Sequence, residues 1–262
     1  MLPAAFSLAA ATTSALYSAV AYCSNATIAS WTCSFCRPPL QPLQNATYLY
    51  NSSTETAGLV GFDAATSRVI LSFRGTVTTE EWVEDFDLRL VDPVSGALCG
   101  PNATVVCVAN GFYFEFASLR AQMHAALSLF PPSAPIVATG HSLGAVMAEY
   151  AAWELGAGRI ESLYTFGTPR GGNPAFARSF QGAGIPAAFR VTHGEDPVPH
   201  LPPEFFNYRH PPQEVFFPDL NNWTDFRVCS PTNGEDGTCS DSVAPILPFF
   251  HNYYMGIEID AC

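Results

Sequence analysis

The sequence around Ser142 constrains the fold of this chain more than any other segment. Residues 139–145 read Thr-Gly-His-Ser-Leu-Gly-Ala and contain the pattern G-x-S-x-G. The apolar residues 135–139 predict a strand before it, and the alanine-rich stretch Leu143–Leu155 predicts a helix after it. The glycines let the backbone turn sharply, which places the serine hydroxyl at the helix N-terminus. The bare pattern also occurs by chance in turns, but this strand–turn–helix context predicts that Ser142 is a nucleophile.

Strand-like and helix-like stretches alternate along the rest of the chain. A first helix is predicted because Leu16, Ala19 and Val20 recur at helical spacing. The other predicted elements are strands at 46–51, 59–63, 68–74, 160–166 and 187–193, a helix at 112–130 and a strand pair within 214–239. Such alternation is typical of α/β proteins. We expect one domain over residues 1–262, an α/β-hydrolase fold with a mostly parallel central sheet.

A serine nucleophile requires a histidine base and a carboxylate that orients the histidine. In α/β-hydrolases these residues follow the serine in the order acid, then base. Asp196 comes just after the predicted strand at 187–193 and directly before Pro197, which would stiffen its loop. Asp196 is therefore the predicted acid, and Glu195 is the local alternative.

Three histidines follow Asp196 and are candidates for the base. His200 is only four residues away on the same loop, and His210 has no distinguishing surroundings. His251 lies in an aromatic segment near the C-terminus and is the preferred base. Of the histidines before the acid, His124 is predicted to lie on a helix face and His141 to be a structural residue of the turn.

Ester or amide chemistry at Ser142 also requires two donors for a developing oxyanion. The backbone N–H of Leu143, directly after the serine, is the expected first donor. The second is expected from the loop after an earlier central strand, where Thr76 follows Arg74 and Gly75. Thr76 would offer its N–H and its hydroxyl, although a threonine in an ordinary strand-to-loop turn fits the same residues.

The charged residues exclude several other classes of function. All 11 basic residues are arginines, so no lysine is present for a P-loop, a kinase or a Schiff base. The net charge of −12 disfavours nucleic-acid binding. The serine mechanism needs neither metal nor cofactor, and we expect none.

Cysteines and glycosylation sequons indicate an extracellular protein. Eight cysteines are typical of a disulfide-bonded secreted chain, whereas Cys33 and Cys36 alone form too small a set for a zinc site. Five N-x-S/T sequons are predicted glycosylation sites: Asn25, Asn45, Asn51, Asn102 and Asn222. The first 36 residues are uncharged but lack a basic leader region, so they are expected to be mostly mature chain, and no apolar run is long enough to span a membrane.

Taken in order, these motifs resemble the fungal-type triacylglycerol lipases, the class 3 lipases, a family that also includes feruloyl esterases. The resemblance extends over nearly the whole chain. It is carried by residues 17–23, 72–76, 139–144, 165–173, 190–203 and 251–254. It implies Ser142, Asp196 and His251 as a catalytic triad, with Thr76 and Leu143 as oxyanion donors.

The resemblance also implies one disulfide. It joins Cys23 to Cys262 and so ties the two ends of the chain together. Proximity in sequence suggests the remaining pairs: Cys33–Cys36, Cys99–Cys107 and Cys229–Cys239.

The family's lid is expected at residues 77–87. Trp82, Val83 and Phe86 would form the apolar face of a short helix among acidic residues, a pattern that an ordinary amphipathic surface helix also fits. The chain departs from the family at Ala109, where many members have a histidine two positions before the glycine that here is Gly111. Whatever that histidine supports is missing or replaced here.

The expected function is that of a secreted, monomeric serine esterase acting on acylglycerols or other esters at a lipid–water interface. The nearest alternative is a feruloyl-type esterase acting on plant cell-wall esters, which the bulky apolar Trp82 disfavours. An inactive binding or structural protein on the same fold is the alternative from another class, and the complete set of triad residues disfavours it.

Overall fold

The computed structural model describes residues 4–76 and 87–262. The central feature is an eight-stranded sheet. Its strands are β1 (Gln44–Asn51), β2 (Thr56–Asp63), β3 (Arg68–Phe73), β6 (Ile136–His141), β7 (Ile160–Phe166), β8 (Ala187–His193), β9 (Glu214–Phe217) and β10 (Arg227–Val228), in that spatial order. Short pairs lie outside it, namely β4 (Leu90–Val91) with β5 (Val108–Ala109), and β11 (Tyr253–Tyr254) with β12 (Ile257–Glu258).

The five central strands, from β3 to β9 in the sheet, run parallel to their neighbours. The strands β1, β2 and β10 add to the two edges in antiparallel orientation. The α/β fold with a mostly parallel sheet is therefore confirmed. Because loops from the carboxyl ends of parallel strands meet at one edge of a sheet, the predicted site residues are brought to the same edge.

Helices cover both faces of the sheet. The described helices are α1 (Leu8–Val20), α2 (Asn25–Ala29), α3 (Asn110–Leu127), α4 (Leu143–Leu155), α5 (Pro174–Gly182) and α6 (Phe249–Asn252), together with three short 3₁₀ turns at Val198–His200, Glu204–Phe206 and Ser240–Ser242. Small residues of α1 pack on one face of β7 and β8, while α3, α4 and α5 contribute to the core on the other face. Successive side chains of β3 point to opposite faces of the sheet. Ile70 therefore belongs to the core beside α1, and Leu71 belongs to the core beside α3.

Four disulfides join the cysteine pairs proposed from sequence, Cys23–Cys262, Cys33–Cys36, Cys99–Cys107 and Cys229–Cys239. The first of them spans 239 residues and fixes the C-terminal segment beside the end of α1. None of the described helices is both long and apolar enough to cross a membrane.

Candidate active site

Ser142 lies on a strained turn between β6 and α4. Its backbone has φ 57° and ψ −128°, a conformation that residues other than glycine rarely adopt. The turn is possible because Gly140 and Gly144 approach each other so closely that a Cβ on Gly140 would overlap the Gly144 carbonyl. Ser142 is 1% exposed, and its Oγ has no hydrogen-bond partner among the described residues. The hydroxyl is therefore held in place by the backbone alone and remains available for reaction.

His251 and Asp196 form a buried pair. His251 lies in α6, and its Nδ1 is 2.9 Å from Oδ2 and 3.1 Å from Oδ1 of Asp196. Both side chains are 1% exposed, so the pair is shielded from water. With Nδ1 donating to the carboxylate, the opposite ring nitrogen, Nε2, is left as the basic atom. Nε2 has no partner among residues 4–76 and 87–262.

Asp196 is held in its charged form despite its burial. Burial opposes the charge, but three groups favour it: His251, the Tyr254 hydroxyl, which donates to Oδ2, and the Val198 N–H, which donates to Oδ1 at 2.9 Å. Together they keep the pKa of Asp196 below its usual value. The carboxylate can therefore orient the imidazole and stabilise it when it becomes protonated.

Gly167 provides the space that the histidine–carboxylate pair occupies. A Cβ at this position would lie 2.8 Å from Cε1 and 2.9 Å from Nδ1 of His251, and 3.0 Å from Oδ2 of Asp196. The residue also has φ +58°, which L side chains rarely adopt. The lack of space for a Cβ and the positive φ both require glycine at this position, directly after β7.

The two predicted oxyanion donors lie beside the serine. Leu143 is the first residue of α4, so its N–H is free of the intrahelical ladder. Thr76 follows Gly75, whose Cα lies so close to Ser142 that an added Cβ would be 2.9 Å from the serine Cβ. The Thr76 hydroxyl is buried and has no partner among the described residues. An unpaired buried donor of this kind is available to an oxygen of a bound substrate.

The other acids and histidines considered from the sequence lie outside the His251–Asp196 pair. The Nδ1 of His200 is 3.3 Å from Asp241, and Nε2 of His210 is 2.8 Å from the Pro199 carbonyl. Glu195 has a buried Oε2 without a described partner, and no described contact joins it to His251. His124 lies at the surface beside Glu154, as expected for a helix-face residue.

The predicted lid residues Trp82, Val83 and Phe86 lie outside the described residues, as does all of the predicted lid except Asp87. Asp87 accepts a hydrogen bond of 2.7 Å from the side chain of Asn110. The Asn110 side chain thus contacts the end of the predicted lid beside Ala109, the position where the chain departs from the family pattern.

The predicted sequons differ in accessibility. Four of the five asparagines are exposed, namely Asn25, Asn45, Asn102 and Asn222. Asn51 is half-buried, and its side chain bonds to Ser53 and to the Ser118 carbonyl. Glycosylation at all five positions stays a prediction.

The structure adds residues that the sequence reasoning missed. Tyr254 contacts the carboxylate, and Gly167 makes room for the pair. Both lie within segments that carried the resemblance, and the Thr-Phe-Gly-Thr run around Gly167 was the available signal. Tyr22 lies within residues 17–23, to which the resemblance assigns no catalytic role, and its hydroxyl is 2.7 Å from Nδ1 of His141.

Comparisons with known proteins agree with this fold. A family model described as "Lipase (class 3)" matches residues 70–206, just over half of the chain. A secreted mono- and diacylglycerol lipase 1 from Fusarium solani is 37% identical over 171 residues, which cover 63% of this chain and 48% of that protein. The chain therefore matches about half the length of this relative.

Two further matches cover more of the chain. Secreted mono- and diacylglycerol lipase A from Penicillium cyclopium is 32% identical over 218 residues, 79% of this chain and 68% of that protein. The solved structure of lipase II from Rhizopus niveus superposes with a TM-score of 0.81 and 26% identity, covering 95% of this chain and 94% of that one. The chain belongs to the class 3 lipase family.

Proposed function

We propose that this protein is a secreted serine carboxylic-ester hydrolase that cleaves acylglycerols through an acyl-enzyme intermediate. The observation that carries the proposal is the arrangement of Ser142 on its strained turn beside the buried His251–Asp196 pair. The Fusarium and Penicillium relatives named above are called secreted mono- and diacylglycerol lipases, which supports an acylglycerol substrate and secretion. Those names do not favour the feruloyl-type alternative.

The reaction follows from the protonation states of the site. Nε2 of His251 takes the proton of the Ser142 hydroxyl as Oγ attacks the ester carbonyl. The negative charge that develops on the carbonyl oxygen is stabilised by the Leu143 N–H and by Thr76. Protonated His251, stabilised by Asp196, then gives its proton to the departing alcohol, leaving an acyl group on Ser142. Water attacks the acyl group by the same steps and releases the fatty acid.

Exposed apolar surface on the chain that follows Asp196 supports a lipid substrate. Phe205 and Phe206 are 80% and 62% exposed on the loop that follows Asp196. A groove of about 600 Å³ lies beside them and is lined mostly by apolar residues, among them Leu88, Leu90, Leu98 and Phe206. Exposed aromatic rings are unfavourable in water and are stabilised against an apolar phase.

The proposal extends to the whole chain. We infer that residues 1–262 form one domain, supported by a sheet that draws strands from Gln44 to Val228 and by the bridge from Cys23 to Cys262. We also propose that the enzyme acts as a monomer at a lipid–water interface. Light scattering on the purified protein tests the monomer.

A substrate comparison tests the function. Purified protein and its Ser142→Ala variant are assayed on long-chain acylglycerol emulsions and on methyl ferulate. We expect fatty-acid release from the emulsion by the wild-type protein and none above background by the variant. Activity confined to methyl ferulate would reject the acylglycerol substrate, and failure of Ser142 to react with an organophosphonate would reject a serine hydrolase altogether.

A further inference from the structure

A second histidine lies in the site and is not used by the reaction above. His141 directly precedes Ser142, and its ring centroid is 4.6 Å from that of His251. Its Nε2 is 2.7 Å from the backbone carbonyl of His251, and its Nδ1 is 2.7 Å from the hydroxyl of Tyr22. His141 therefore bridges the segment that carries the proposed base and the chain just after α1.

The direction of both hydrogen bonds is determined by protonation. Burial, together with repulsion from His251 when that ring is protonated, lowers the pKa of His141 to about 3, so the His141 ring is neutral near pH 7. A backbone carbonyl only accepts, so the single ring proton is on Nε2 and points at His251. Nδ1 then accepts the proton of Tyr22, whose own pKa is raised by burial so that the hydroxyl stays protonated.

Tyr22 also contacts the loop that carries Thr76. A Cβ on Gly75 would overlap the Tyr22 hydroxyl, and it would lie 2.8 Å from the carbonyl oxygen of His141. The position of Tyr22 is in turn constrained by the next residue, Cys23, which is bonded to Cys262. The Tyr22 hydroxyl thus contacts the loop of Gly75 on one side and His141 on the other.

We propose that Tyr22 and His141 form a positioning pair. The pair holds the oxyanion loop, which carries Gly75 and Thr76, and the backbone of His251 at fixed positions relative to Ser142. The proposal rests on the proposed hydrolase function and adds two residues that contact no reacting atom. Oxyanion donors act over a narrow range of distances, so a small displacement of Thr76 or His251 reduces transition-state stabilisation more than it reduces substrate binding.

Removal of the Tyr22 hydroxyl tests the pair. In Tyr22→Phe, the ring remains and the bond to His141 is lost. We expect kcat on the soluble ester p-nitrophenyl butyrate to fall about tenfold while KM changes by less than about twofold. A soluble ester is used so that adsorption at an interface does not contribute.

Tyr17 provides a matched control. It lies in α1, is buried, and its hydroxyl donates to Asp63 at 3.3 Å, away from Ser142. Tyr17→Phe likewise removes the hydrogen bond of a buried tyrosine hydroxyl, but outside the active site. We expect it to lower the melting temperature without changing kcat. If Tyr22→Phe and Tyr17→Phe reduce kcat equally, or if Tyr22→Phe has wild-type kcat, the positioning role is wrong.

Variants of His141 supply an independent readout. A glutamine side chain can donate to the His251 carbonyl and accept from Tyr22, whereas phenylalanine can do neither. We expect His141→Gln to retain more kcat than His141→Phe, and we expect Tyr22→Phe to cause no further loss in the His141→Phe background. Full additivity of the two losses would overturn the pairing.

The failure of this inference differs from the failure of the proposed function. Wild-type protein that does not react with an organophosphonate at Ser142 would reject the hydrolase, and the positioning pair with it. Wild-type protein that reacts normally, combined with an unaltered kcat in Tyr22→Phe, would reject the positioning pair alone.

Discussion

Gly167 lies against the proposed catalytic pair, where any side chain would displace His251 or Asp196. Gly167→Ala places a methyl group 2.8 to 3.0 Å from both side chains and strains a residue with φ +58°. We expect kcat to fall by about tenfold or more because a displaced imidazole transfers protons poorly. Steady-state kinetics on a soluble ester provide the measurement.

Gly184 separates this effect from backbone strain. It has φ +67°, but the nearest atom to an added Cβ is 4.0 Å away, on Ala157. Gly184→Ala should lower stability by about 1 kcal/mol and leave kcat unchanged. Equal kcat values for the two variants would contradict the role assigned to Gly167.

Thr76 is a second residue whose replacement should change kcat. Its hydroxyl is buried without a described partner, as expected for a donor that pairs only with a substrate oxygen. Thr76→Ala should lower kcat by about 10² to 10³, the usual loss when one oxyanion donor is removed. Thr76→Ser keeps the hydroxyl and should retain most of the activity, and a serine variant as inactive as the alanine variant would argue against the hydroxyl's role.

At the scale of elements, Asn173 joins α5 to the disulfide-bonded loop that ends at Cys107. Its Oδ1 caps α5 by accepting from Phe176 and also accepts from the Cys107 N–H, while its Nδ2 donates to the carbonyls of Ala103 and Val105. The side chain is fully buried. Asn173→Ala removes the side-chain acceptor of two buried N–H groups, those of Cys107 and Phe176. The variant should therefore have a free energy of unfolding lower by about 3 kcal/mol.

Ser7 caps α1 at the surface with a single side-chain bond to Ala10 and serves as the comparison. Ser7→Ala should cost about 1 kcal/mol. Urea denaturation of both variants measures the difference. Equal losses would show that Asn173 acts only as a helix cap.

At the scale of the whole molecule, we expect Glu149 to make stability depend on pH. It is fully buried in α4, and neither carboxylate oxygen has a described hydrogen-bond partner. Burial raises its pKa from 4.5 to about 8, although the charge of Arg190 partly opposes the shift. In the unfolded chain Glu149 loses its proton above about pH 4.5, whereas in the folded chain it keeps the proton until about pH 8. The free energy of unfolding therefore decreases as the pH rises from about 4.5 to about 8, and Glu149 causes no further decrease above that.

Glu149→Gln removes this pH dependence because glutamine is neutral throughout. The variant should match the wild-type stability near pH 5 and exceed it by a few kcal/mol near pH 8, since each pKa unit corresponds to about 1.4 kcal/mol. Glu258→Gln, at an exposed position, should show no such divergence. Thermal unfolding across this pH range checks both, and a constant difference between wild type and Glu149→Gln would contradict the expectation.

Local pattern was sufficient to predict the strands of the central sheet and the helices α1, α3 and α4. The predicted helix Leu143–Leu155 and the strands at 160–166 and 187–193 agree with α4, β7 and β8 at both ends. Apolar periodicity and glycine or proline boundaries are properties of neighbouring residues, so they can be read along the chain. The helix α5 was missed, although Asn173 and Pro174 are a recognisable start signal.

The sequence by itself determined the class of fold, the elements of the sheet and the residue types available for chemistry, because these follow from local pattern and from motifs of contiguous residues. Only the tertiary structure decided which distant groups meet. Tyr22 and His141 are 119 residues apart and Tyr254 and Asp196 are 58 apart, yet each pair is hydrogen-bonded. Such contacts depend on how the helices and strands pack, and side-chain chemistry alone does not select one partner among many.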